Sequence, residues 1–242
     1  MKDDWAQQHQ AIKDLMDYLD KTIPTIKAAS TAGSLFMGAA ALYRCNRLLR
    51  AIDDAVERGL GDTAGGNVRT LYETWVLGHL LMLSGFDDAR ELWAMTRGKA
   101  ETLLRKMGVE DQVEYPSEAP ESTKDKGIEQ HANALGKKLE TEDPDNASMP
   151  VFNYNHLYRA ESHLSSHANV DAINQYAEPV GEDDGFIGIN GKNEGVEWRT
   201  QMAAFITAYF ASQVFKKAGV DVTEFHKIEE RLGPPKPDKE TA

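Results

Sequence analysis

Arg69 and Glu73 stand four residues apart in the stretch TAGGNVRTLYETWVLGHLLMLS, which runs from Thr63 to Ser84. On a helix that spacing puts a guanidinium and a carboxylate on one face. The same face continues through Val76, Leu80 and Leu83, and Trp75 to Leu83 is apolar but for one Gly and one His. A helix that is apolar nearly all round is a buried one. The charged pair therefore reads either as an ion pair at the mouth of a helix or as a polar pair lining a cleft. The second set is His156, His163 and His167, spaced by seven and four residues. At about 100° per residue those steps return all three to one side of a helix. Ala160 fills the gap, Arg159, Ser162 and Ser166 flank the line on one side, and Leu157 and Leu164 on the other. A shared histidine face serves as a metal site, a general acid/base pair or a plain polar surface.

Several chemistries are poorly served. His163 and His167 have a zinc-ligand spacing, but the general-base Glu of an HExxH motif is missing, and a third ligand would have to come from elsewhere, Glu73 being one candidate. We assign no metal and no cofactor. Ferritin-like di-metal bundles use Glu-x-x-His motifs, whereas Glu129/His131, Glu161/His163 and Glu224/His226 are two residues apart and point to different sides of a helix. Ser162, Ser165 and Ser166 lie beside histidines, yet nothing resembles a strand–turn–helix nucleophile elbow. TAGGN and GFIGING match neither a Walker loop nor a dinucleotide fingerprint. Cys45, the single cysteine, excludes an internal disulfide and a cysteine zinc cluster.

The chain of 242 residues is long enough for a substantial core. Its formal net charge of −12 argues against dedicated duplex-DNA binding, which needs an excess of Lys and Arg. It leaves room for a small basic cleft on an acidic body. Local groups at Arg44, Arg47 and Arg50, and at Arg97, Lys99, Arg105 and Lys106, read as solvated helix faces. No run approaches eighteen apolar residues and the N-terminus is polar, so no membrane association is expected and the cytoplasm is the expected location.

The elements that must position these residues are helices. Trp5, Ile12, Leu15, Met16 and Leu19 form an apolar stripe over 5–25, with Pro24 near the end. A second helix, capped by Ser34, runs to about Arg58, with Gly59 and Gly61 as stops. Its MGAAAL segment, Met37 to Leu42, is small enough for a tight helix crossing. Asp62 or Thr63 caps the central helix, although Gly65 and Gly66 suggest a start nearer Asn67; Gly85 ends it. A fourth helix is expected over 87–107, antiparallel to the third, followed by a surface loop over 110–125. A modest helix over 126–139, a turn over 141–146, and the histidine helix from Pro150 or Val151 to at least His167 come next. The glycine-rich stretch 178–195 carries an apolar island (Phe186, Ile187, Ile189). A tiny hairpin or a lid is conceivable there, and a plain loop is preferred. A long core helix over 196–217, packed on the central one and stopped by Gly219, and a short helix over 220–231 complete the chain.

With those residues in view, VRTLYETWV followed later by LYRAESHLSSHAN resembles an uncharacterised bacterial all-helical family. Its members carry an Arg-x-x-x-Glu helix and, about eighty to ninety residues on, a Tyr-x-x-x-Ser…His segment. That family looks like a distant branch of the HEPN helical domains. Several HEPN branches are metal-independent ribonucleases of toxin–antitoxin and phage-defence systems, and HEPN domains commonly dimerise with the cleft between two copies. Carried onto this chain, the motifs fall on Arg69 and Glu73, and on Tyr158, Ser162 and His167. The ribonuclease pair, an Arg followed after about four to six residues by a His, is not reproduced: from Arg159, His163 has three intervening residues and His167 seven.

The expectation is an all-α antiparallel bundle of four or five long helices with short accessory helices. It forms one domain over 1–232, with a disordered tail over 233–242. The resemblance implies a homodimer acting on RNA or a nucleotide, with catalytic residues Arg69, Glu73, Arg159, His163 and His167, and ligand contacts from Tyr158, Ser162 and His156. In that chemistry an imidazole takes the proton of a ribose 2′-hydroxyl while Arg stabilises the phosphate. The alternative is a non-catalytic helical module that binds a nucleotide or a protein partner.

Overall fold

The stripe read from the N-terminal sequence folds as α1 (Lys2–Thr22), with Ala11, Ile12, Leu15, Met16 and Leu19 buried. It tightens into a 3₁₀ turn at Ile23–Thr25, where Pro24 ends the α-helical ladder. The computed structural model describes residues 2–27, 33–84, 127–164, 177–179, 187–189 and 197–233. Among these the chain is all-α apart from one small strand pair. The expected helix over 87–107, the loop over 110–125, His167 and the tail over 234–242 lie outside the described residues, as does the side chain of His163.

α2 (Gly33–Glu57) and α3 (Gly61–Leu83) form the tightest pair. Gly59 adopts φ +72°, its N–H reaches the Val56 carbonyl at 3.0 Å, and the Leu60 N–H reaches Ala55 at 2.8 Å. This is the glycine-terminated helix stop that the sequence suggests. The small MGAAAL segment is the crossing point: a Cβ on Gly78 would overlap the Ala41 methyl, and one on Gly38 would lie 2.8 Å from the Met82 sulfur. α2 and α3 therefore run antiparallel at near-backbone contact. α3 begins at Gly61 rather than near Asn67, because Gly61, Ala64 and Gly65 are buried and seat its first turns in the core. Packing outweighs the weak helix preference of glycine there.

α4 (Ile128–Glu142) buries Ala132, Leu135 and Leu139, and a 3₁₀ turn (Pro144–Asn146) follows it. The next segment is not one regular helix. It comprises α5 (Met149–Asn153), a π-helical turn (Tyr154–Tyr158) and α6 (Arg159–Leu164). The apolar island takes part in pairing: β1 (Ala177–Pro179) lies antiparallel to β2 (Ile187–Ile189), with Ala177 opposite Ile189. The plain loop preferred from the sequence is replaced by this pair, in which two β-branched Ile flank a Gly.

α7 (Glu197–Ala218) is the expected core helix, burying Ala203, Ile206, Phe210, Val214 and Phe215. It ends at Gly219, φ +66°, where the Val220 N–H caps the Phe215 carbonyl. Its contacts with α3 climb in step, Tyr209 beside Trp75 and His79, then Lys217 on the Met82 carbonyl. α7 thus runs parallel to α3 and antiparallel to α2. α8 (Thr223–Leu232) closes the end of α1 and α7 through Phe225, which touches Tyr18 and Phe215. Arg50 does not face open solvent alone; it bridges Asp17 and Asp20 of α1 at 2.9 and 2.7 Å.

Candidate functional site

Two elements build the site. The first is the middle of α3, where Tyr72 is fully buried and its hydroxyl donates to the Pro150 carbonyl at 2.8 Å. Burial pushes the Tyr72 phenol well above its usual range, which keeps it a donor. That bond ties the start of α5 to α3. The second element is the π turn that follows. An i→i+5 turn inserts an extra residue, and such turns gather at functional positions. Here it sends Tyr154 and Tyr158 to the same side, stacked at 5.4 Å, with Tyr158 5.4 Å from Tyr72.

Tyr158 meets the charged pair. Its hydroxyl donates to Glu73 Oε1 at 2.9 Å. Arg69 Nε donates to the same oxygen at 3.4 Å, and the guanidinium lies over the Tyr158 ring, 4.9 Å from its centroid. Tyr158 is buried, whereas the Arg69 and Glu73 side chains are 30% and 38% exposed. Burial, reinforced by the Glu73 carboxylate, raises the Tyr158 phenol pKa; Arg69 works in the opposite sense. The phenol is therefore a fixed donor, not a base. The result is a partly exposed guanidinium braced by a ring and by a carboxylate. Such a fork is suited to phosphate or carboxylate recognition.

The structure brings Arg69, Glu73 and Tyr158 together, while the His163 side chain and His167 lie outside the described residues. His156 is exposed and lies against Phe152, ring centroids 4.4 Å apart. Between His156 and His163 the chain does not keep the regular α-helical repeat, because His156 lies within the π turn Tyr154–Tyr158. Arg159 is exposed. The Ser162 hydroxyl is buried with no hydrogen-bond partner. His163 stands on α6, four residues after Arg159.

Other polar groups lie outside the expected site. Glu161 and Arg199 form a buried ion pair, Nε to Oε1 2.7 Å, joining α6 to the start of α7. The signal was present as a lone Arg entering the apolar run of α7. His79, inside the aromatic cluster of Trp75, Tyr209 and Phe210, is fully buried, and neither ring nitrogen has a partner. Burial lowers its pKa to about 4, so it is a neutral core imidazole. A third group joins α1 to α2. His9 Nε2 lies 2.7 Å from Asp53 Oδ1 and 3.7 Å from Glu57 Oε1, and Lys13 Nζ sits 2.8 Å from Glu57. These three ligand atoms are close enough to hold a small divalent cation. Lys13 already supplies positive charge there, and Trp5 stacks on the His9 ring at 4.9 Å. Among the described residues no helix is long and apolar enough to cross a membrane.

No protein-family model, curated protein or solved structure matches the chain.

Proposed function

We propose that this chain is a HEPN-like helical module that binds a phosphate-bearing ligand, a nucleotide or an RNA strand, at Arg69 on α3. The observation that carries the reading is the bracing of one half-exposed guanidinium by Glu73 and the Tyr158 ring. A surface ion pair made only for stability contributes little and needs no buried tyrosine beneath it. Fixing the guanidinium beforehand lowers the ordering cost that a ligand would otherwise meet. The acidic body, net charge −12, favours a small footprint over a long polyanion track. The HEPN relationship, a homodimer and a toxin or phage-defence role rest on the family resemblance, and a cytoplasmic location on the polar N-terminus and the lack of a long apolar run in the sequence.

The test is binding of a short fluorescein-labelled RNA and of adenosine monophosphate by wild type and Arg69→Ala. Loss of a charge-assisted contact worth about 1.5–3 kcal/mol weakens binding by roughly tenfold to a hundredfold. Equal affinity in the variant would sink the reading.

Metal-independent RNA cleavage is the second reading. It rests on the family resemblance, with Arg159 and His163 four residues apart on α6. Cleavage in excess chelator by wild type and not by His163→Ala or His167→Ala supports it. Intact RNA after incubation with wild type leaves the binding module.

A further inference from the structure

Among the large apolar side chains that stay exposed in the described residues, two share one strip of α2: Phe36, 63% exposed, and Tyr43, 42%. Leu60, Phe152 and Trp198 are also exposed, but each stands singly on a separate element. Exposed Ala40 lies between Phe36 and Tyr43, and exposed Arg47 follows Tyr43. The strip therefore advances in steps of four, three and four residues. Those are the steps of a coiled-coil seam, the spacing along which one helix receives another. Ala40 leaves a methyl-sized gap between the two rings, into which a partner side chain fits. The core is served by other positions of the helix, with Leu35, Ala39, Leu42 and Leu49 buried. Apolar surface that is contiguous and outward marks an interaction face, whereas single exposed residues do not.

The charge of the strip says what it fits. Residues 21–52 are the longest run without Asp or Glu in a chain that holds 39 of them, yet they include Lys21, Lys27, Arg44, Arg47 and Arg50. Arg50 is taken up by Asp17 and Asp20. Arg47 on the seam and Arg44 beside it are exposed, and neither has an ion pair or hydrogen bond among the described residues. We propose that this face of α2 docks an acidic amphipathic helix of a partner protein. The partner's apolar residues pack on Phe36 and Tyr43 around Ala40, and its carboxylates meet Arg44 and Arg47. A second copy pairing through the same seam brings the arginines of both copies together with no carboxylate in the strip, so the match is to a different surface. An anionic bilayer calls for a larger cluster of about four to eight cations, and it meets a body of net charge −12. The proposal involves neither Arg69 nor Glu73 and stands apart from the phosphate reading.

The probe is a displayed library of helix-forming peptides, randomised along one face and selected on the full chain. The selected peptides should carry Asp and Glu beside apolar residues spaced by three and four. Phe36→Ala should weaken their binding about tenfold or more, and so should Arg44→Glu combined with Arg47→Glu. Binding to wild type should also weaken as salt is raised. Because the substituted side chains are exposed, these variants should melt within about 2 °C of wild type. Lys137→Glu, an exposed cation on α4, should leave the affinity unchanged and controls for general charge. Equal loss in Lys137→Glu, selected peptides without an acidic bias, or no selected peptide at all overturns the proposal. Binding of wild type to phosphatidylserine vesicles that disappears in the α2 variants, with no peptide selected, gives the face to a membrane and overturns it. Self-association of wild type in sedimentation equilibrium that disappears in Phe36→Ala gives the face to a second copy and overturns it too.

Discussion

The Tyr158 hydroxyl donates to Glu73 Oε1 at 2.9 Å across 85 positions of sequence. It joins the π turn to the central helix and fixes the carboxylate that in turn holds Arg69. Tyr158→Phe keeps the ring beneath the guanidinium and removes only this bond. The expected loss is about 0.5–1.5 kcal/mol in urea denaturation. The alkaline limb carries a second signature. The folded phenol pKa lies above the unfolded value of 10.0. Its contribution is full below about pH 10 and is lost as pH rises through the folded pKa. Tyr158→Phe should therefore lose less stability than wild type above that pH. Identical alkaline limbs would show that the bond does not exist in solution.

Glu161 and Arg199 are buried together, so removing one takes a counter-charge 2.7 Å away from the other inside the protein. Glu161→Gln or Arg199→Met alone should cost about 3–5 kcal/mol. Replacing both, with Glu161→Leu and Arg199→Met, should recover much of that, since a well-packed apolar pair often matches a buried ion pair. Chemical denaturation of the four proteins gives the answer. Single variants within about 0.5 kcal/mol of wild type would contradict the buried geometry.

His79 makes the fold acid-sensitive. Burial lowers its pKa from 6.5 to about 4; Lys217 adds to the shift and Asp143 opposes it. Between those values the unfolded chain binds a proton that the folded chain refuses. Stability therefore falls as pH drops from about 6.5 toward about 4, by up to about 3 kcal/mol at 1.36 kcal/mol per pKa unit. His79→Phe removes the titration and two buried nitrogens without partners. Urea midpoints at about pH 7 and about pH 4.5 should differ less in the variant than in wild type. An unchanged acid limb would mean that His79 is hydrated.

The helices were legible because their signals are local. Gly59 and Gly219 stop α2 and α7 through a left-handed backbone that glycine alone adopts freely, and both stand where the sequence puts them. MGAAAL announced a close crossing by its volume alone, although not that Gly78 and Met82 would be its partners. Within α3, the four-residue spacing was enough to put Arg69 and Glu73 on one face.

Spacing along one helix is set by a repeating backbone geometry, and so sequence by itself determined the all-α class, the main stops and the Arg69–Glu73 pair. The histidine line was drawn on that repeat, which the π turn between Tyr154 and Tyr158 interrupts. Nothing in a single chain position says that the same turn delivers Tyr158 to Glu73, that Arg199 closes on Glu161, or that α7 runs parallel to α3. Those pairings depend on how separate elements pack, where contacts between distant residues are chosen by the shape and volume of the whole core. Only the tertiary structure decides them.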